Sequence, residues 1–204
     1  MGRFSEYIGS QFGKPRGFIG MICCLLMNTI NRRMYSSISS CINKNENATV
    51  LDIGYGNGYL INKIYKKTNA TIYGIDISDD MKKLASRRNS EAVDIGKVKL
   101  SIGDCCNLKY EDKIFDAVTS VNTIYFWSDT EKGLSEICRT LKDGGVFYNA
   151  VYSKQWLKKT SYTQKGFKLF EKEDYIKLGK KSGFSKISIK EISQGKSYLI
   201  KYLK

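Results

Sequence analysis

Histidine is absent from this 204-residue chain, and proline occurs once, at Pro15. Without imidazole, the commonest general base and the activating partner of hydrolytic triads are excluded. The six cysteines show no C-x-x-C pair and are too few for a disulfide scaffold. With no histidine beside them they offer only irregularly spaced thiolates to zinc, so no metal is expected. They read as reduced, mostly buried thiols of a cytoplasmic protein. No apolar run is long enough to span a bilayer. The longest, "FIGMICCLLMNTI" over residues 18–30, continues as a helical pattern through Arg33 and reads as a packing helix, not a targeting segment.

The charge present is unevenly placed. The formal net charge is +14, yet residues 48–150 carry 14 basic and 14 acidic groups. Residues 151–204 carry 14 basic against 4 acidic ones. Such a segment suits an anionic partner, including nucleic acid, or forms a solvated lysine-rich surface; its lysines are dispersed, which favours the second reading.

From Ala48 onward, short β-branched runs alternate with helical patterns. "ATVLDIG", "ATIYGIDI", "KVKLSIGD", "FDAVTSVNTIYF" and "GVFYNAVY" read as strands. "NGYLINKIYKK", "SDDMKKLASRRNSEAVD", "DTEKGLSEICRTLKDGG" and "KEDYIKLGKKSGF" read as the helices between and after them, the third stopping at its glycines. "SKISIKEIS" and "SYLIKYLK" close the chain as an antiparallel pair. The expected fold is α/β: a doubly wound, mostly parallel Rossmann-like sheet with an antiparallel last strand. Residues 1–47 are expected as a helical cap and residues 48–204 as the ligand-binding domain.

The stretch "VLDIGYGNGYL" marks the ligand site. A glycine turn after the first strand lets backbone approach a ligand, but the spacing here is G-x-G-x-G, at Gly54, Gly56 and Gly58. The dinucleotide fingerprint places its last glycine one residue later. Asp52 sits just before the turn, where a carboxylate repels pyrophosphate and suits an ammonium. Asp76 ends the second strand, positioned for the two hydroxyls of a ribose. Asp104 ends the third, within reach of a purine amine. The set provides for an amino-acid end, a ribose and an adenine, with no phosphate cradle, and so fits S-adenosylmethionine (SAM).

The segments "VLDIGYGNG", "IYGIDIS" with "DDM", "SIGDCCNL", "IFDAVTSVNTIYFW" and "LSEICRTLKDGGVF" resemble, in order and spacing, the class I SAM-dependent methyltransferases. They look most like the small-molecule (type 11) group that includes the ubiquinone/menaquinone C-methyltransferases. The resemblance covers about residues 48–152 and implies a seven-stranded sheet and in-line methyl transfer to a small-molecule acceptor, with S-adenosylhomocysteine (SAH) as product. It implies that Asp52, Gly54, Gly56 and Gly58 line the methionine end and that Asp76 holds the ribose. Ile77 and Met81 would then flank the adenine, Asp104 and Cys105 meet its edge, and Asn122 floor the space towards the acceptor. Tyr125 and Tyr7 are the candidate catalytic groups, with Tyr35 behind them. The N-terminal helices and "YSKQWLKKTSY", Trp156 included, would roof the acceptor. Arg16, Arg32 and Arg33 are candidates for an acidic group on it, or else helix charges facing solvent. Nucleic acid is the alternative acceptor, through the basic C-terminal segment. A monomer or homodimer is expected, with no membrane span.

Overall fold

The computed structural model describes residues 27–42, 47–160, 163 and 166–204. Tyr7, Arg16 and most of the expected cap lie outside the described residues. After a helical turn at residues 27–30, the elements are α1 (Arg32–Ser39), β1 (Thr49–Ile53), α2 (Tyr59–Tyr65), β2 (Thr71–Asp76), α3 (Asp79–Arg88), α4 (Ser90–Asp94) and β3 (Val98–Ile102). There follow β4 (Phe115–Val121), α5 (Thr130–Thr140), β5 (Leu141–Tyr152), α6 (Lys154–Lys158), α7 (Lys172–Lys181), β6 (Lys186–Ser193) and β7 (Ser197–Leu203).

The seven strands form one sheet in the order β3-β2-β1-β4-β5-β7-β6. β1 to β5 pair in parallel, and β7 runs antiparallel to both of its neighbours. Strand order reverses beside β1, which opens a crevice at the carboxyl ends of β1 and β4. The central strands read as unbroken apolar runs because both faces are covered: Val50, Leu51, Ile72 and Val118 have no exposed surface. β6 lies at the edge. Its exposed Lys186 and Lys190 alternate with half-buried Ile187 and Ile189, a pattern that keeps an open edge soluble.

Two helices depart from the sequence reading. The pattern over 78–94 forms two helices, because Asn89 ends α3 and turns its side chain inward. Its amide donates to the carbonyls of Ala85 (2.9 Å) and Gly58 (3.2 Å). The helix expected to run to Gly144-Gly145 stops at Thr140, because Leu141 goes extended, is fully buried and pairs with Phe115. Gly144 then serves a bulge within β5, at φ +77°. The fourth strand ends at Val121, where Asn122 adopts φ +57°, a left-handed conformation that asparagine tolerates.

Many lysines of the basic segment have local duties. Lys204 donates to the carbonyls of Arg139 and Leu141, and Lys168 to those of Trp127 and Ser128. Lys154 pairs with Glu171, and Lys181 with Glu131. Lys172 and Lys201 lie over the rings of Tyr198 and Tyr148.

Asn89 joins the helix layer to the glycine turn. Asn89→Ala is expected to lower the unfolding free energy by about 1–3 kcal/mol, since it strips a buried amide from two carbonyls. Urea denaturation measures the loss.

Candidate functional site

The glycine turn is shaped by three glycines in left-handed conformations. Gly54 has φ +68°, and its N–H donates to the carbonyl of Ile75 at 2.8 Å. A Cβ there would stand 2.4 Å from the Thr123 methyl, so the turn lies directly against the segment that follows β4. Gly56 has φ +53° with open space beside it, as a turn that faces a ligand requires. Gly58 starts α2 at φ +73°.

Asp76 holds this turn from the neighbouring strand. Its Oδ2 accepts from Gly56 N–H and its Oδ1 from Ser78 N–H, both at 2.9 Å. Burial raises its pKa, and the backbone N–H groups of Gly56, Ser78 and Ile77 work against that rise. A carboxylate has about four acceptor positions, so its two oxygens keep room for further donors. Asp52 is paired in register with Thr119, whose hydroxyl donates to it at 2.7 Å. Burial pushes the Asp52 pKa up to about 7; the Thr119 hydrogen bond lowers it and the nearby Asp76 charge adds to the rise.

Both carboxylates line one cavity of about 510 Å³, within the size range of small-molecule sites. Gly54, Gly56, Ile77, Asp104, Cys105, Asn122 and Tyr125 also line it. Ile77 is 43% exposed there, an apolar side chain left for something else to cover. Asp104 is exposed and spends one oxygen on Cys106 N–H at 2.9 Å. Asp104, Cys105 and Cys106 bring their ligand atoms within 4.8 Å of one another. The Cys106 thiol donates to the carbonyl of Asp129, and burial pushes the Cys105 thiol well up.

Three expected roles find different places. Gly58 does not line the cavity; a Cβ on it would meet Asn89 and Ala85, so it serves the packing of α2 on α3. Met81 is 1% exposed, lies in the core and does not line the cavity either. Tyr125 contributes its ring, but its hydroxyl is fastened to the backbone of Tyr152: it accepts from the N–H at 2.6 Å and lies 3.2 Å from the carbonyl. Burial raises its pKa far above the usual phenol value. It is a poor proton acceptor and a good strut. Tyr125, a candidate catalytic group by sequence, thus stands here with its hydroxyl engaged by the Tyr152 backbone.

Asn31, Asn122 and Tyr152 meet in a polar network that the sequence did not reveal. Asn31 Oδ1 accepts from the Tyr152 hydroxyl (2.7 Å) and from the Asn122 amide (3.1 Å). Asn122 Oδ1 in turn accepts from Tyr152 N–H at 3.2 Å. These residues stand up to 121 positions apart, so no local pattern joins them. Tyr35, Trp156 and Lys196 also line the cavity. Arg32 and Arg33 are exposed and do not line it.

Residues 51–149 match the family model described as "Methyltransferase domain". This segment is a class I, SAM-dependent methyltransferase domain. Phosphoethanolamine N-methyltransferase 2 of Caenorhabditis elegans is 33% identical over 150 residues, 71% of this chain and 34% of that protein. A ubiquinone/menaquinone biosynthesis C-methyltransferase of Geobacter sulfurreducens is 32% identical over 123 residues, 59% of this chain and 48% of that protein. The chain thus spans between a third and about half of these curated relatives. In fold, it resembles a chain of the Haloferax volcanii complex between the Trm112 methyltransferase activator and a methyltransferase (TM-score 0.75, 18% identity, 97% of each chain). It also resembles Haemonchus contortus phosphoethanolamine N-methyltransferase 2, solved with SAM (TM-score 0.72, 20% identity, 85% of this chain and 52% of that one). Among the described residues, no helix is long and apolar enough to cross a membrane.

The methyltransferase domain carries its own pH dependence. A cationic ligand prefers Asp52 ionised, so binding draws off a proton below the Asp52 pKa near 7. SAM affinity is expected to rise as pH increases from about 5.5 to 7.5, and Asp52→Asn to flatten that slope. Calorimetric titration at three pH values checks both.

Proposed function

We propose that the whole chain is a SAM-dependent methyltransferase acting on a small-molecule acceptor. The carrying observation is Asp76: both its oxygens are oriented by backbone N–H groups at 2.9 Å, and it lines the cavity beside exposed Ile77. A pre-set carboxylate next to an uncovered apolar side chain matches a ribose joined to an adenine. In this reading Asp52, Gly54 and Gly56 border the methionine end, and Asp104 and Cys105 the adenine edge. Asn122 floors the transition to the acceptor, and Asn31 and Tyr35 border it.

The cofactor supplies an activated methyl group on a sulfonium, transferred by in-line displacement to leave SAH. The chain's part is alignment and exclusion of water. Tyr125 and Asn122 hold the end of β5 and the Asn31 segment in fixed relation, which sets the direction from which an acceptor faces the cofactor. The names of the similar proteins support a small acceptor: phosphoethanolamine, quinone precursors, a phytyl hydroquinone and a sterol. The local duties of Lys154, Lys168, Lys181 and Lys204 reduce the case for the basic segment as a nucleic-acid surface.

Separate titrations with SAM and NAD test the reading. Heat with SAM and none with NAD is expected, and the reverse overturns it. Asp76→Ala is expected to weaken SAM binding more than about tenfold, through loss of a charged hydrogen-bond acceptor, with the circular dichroism of the fold retained. An unchanged affinity removes Asp76 from the ribose site.

A further inference from the structure

The charges lining the cavity are sorted by position. Asp52, Asp76 and Asp104 stand at the ends of β1, β2 and β3. Lys196 is the one cation among the described residues that line it, in the turn between β6 and β7. β7 lies three strands from β1 in the sheet, about 14 Å across at ordinary strand spacing. The cavity has an acidic end and a basic end.

The basic end is built. Ser153 N–H donates to the carbonyl of Lys196 at 2.9 Å, and the Ser153 hydroxyl to that of Gly195 at 2.8 Å. Lys196 N–H closes the turn onto Ser193 at 3.0 Å, with Gly195 at φ +62°. Ser153 also caps α6 by accepting from Trp156 N–H at 3.1 Å. Lys196 Nζ lies 4.3 Å from the Trp156 ring centroid and 5.8 Å from that of Tyr152. The side chain is half-buried, and among the described residues no carboxylate pairs with it. Leu157, Phe126 and Phe167 also line the cavity.

A lysine ammonium partly withdrawn from water, backed by ring faces and lacking a counter-ion, is a receptor for an anion. We propose that the methyl acceptor is a small organic anion, an aromatic or apolar body carrying a carboxylate or phosphate group, and that Lys196 determines this specificity. The inference rests on the reading of the acidic end as the SAM site. It also gives the acceptor an orientation: its anionic group lies at Lys196 and its methylated atom points back towards Asn122. Of the cations the sequence suggested, Arg32 and Arg33 do not line the cavity and Arg16 lies outside the described residues; a turn lysine takes this place.

The test uses the full chain saturated with SAH, titrated with benzoate, phenyl phosphate and neutral benzamide. At least one anion is expected to bind about tenfold more tightly than benzamide, as a charge-assisted contact does; the carboxylate and phosphate arms tell which group fits. Lys196→Gln is expected to abolish the preference and Lys196→Arg to retain it, while SAH still raises the melting temperature of both. Equal binding of anions and benzamide overturns the proposal, as does binding of no anion at millimolar concentration. A preference that survives Lys196→Gln also overturns it and leaves Lys196 a packing partner of Trp156. If SAH itself fails to bind the unmodified chain, the SAM reading falls; if SAH binds and the charge preference is missing, only this inference does.

Discussion

The hydrogen bond from Gly56 N–H to Asp76 is the constraint on which the rest depends. It joins a loop without regular structure to the last residue of β2, a central strand. Left-handed glycines lose much backbone freedom on folding, and this turn needs three of them in five residues. Asp76 offsets part of that cost and is itself fixed in return, because Ser78 N–H takes its other oxygen while Ser78 starts α3. One carboxylate thereby sets a turn, a helix start and a ligand-facing surface.

Burial of polar groups is the second theme. Asp52, Asp76, Asn31, Asn89 and Asn149 are all buried. Most of these have partners chosen by sheet register or by helix ends. Asp52 faces Thr119 because β1 and β4 pair in that register. In a chain without histidine, such a carboxylate is the group that burial carries into the neutral pH range.

The strands and most helices were legible in the sequence because period-two and helical patterns are local. That Asp52, Gly54, Gly56, Asp76 and Asp104 gather at one cavity was legible because a strand-turn-helix unit fixes where its turn lies. The failures were local patterns overruled at a distance. Leu141 has a helical neighbourhood, yet Phe115 offers it a strand partner. Tyr125 looks reactive beside the cofactor region, yet Tyr152, 27 residues on, takes its hydroxyl. Met81 falls where the resemblance puts an adenine contact, but the core closes over it. Lys196 was invisible among 34 basic residues, because its place depends on a turn clamped to Ser153, 42 positions earlier by the hydroxyl contact.

The closeness of Gly54 to Thr123 has a wider effect. Thr123 also accepts from the Trp127 indole at 3.1 Å and hydrogen-bonds Ser120. The glycine turn and the segment that follows β4 are therefore one solid piece, like the fixed jaw of a vice. A bulkier occupant of the cavity gains no room by pressing on that jaw, because no slack separates the turn from Thr123. Any widening of the cavity must then come from its other walls, such as the one that carries Trp156.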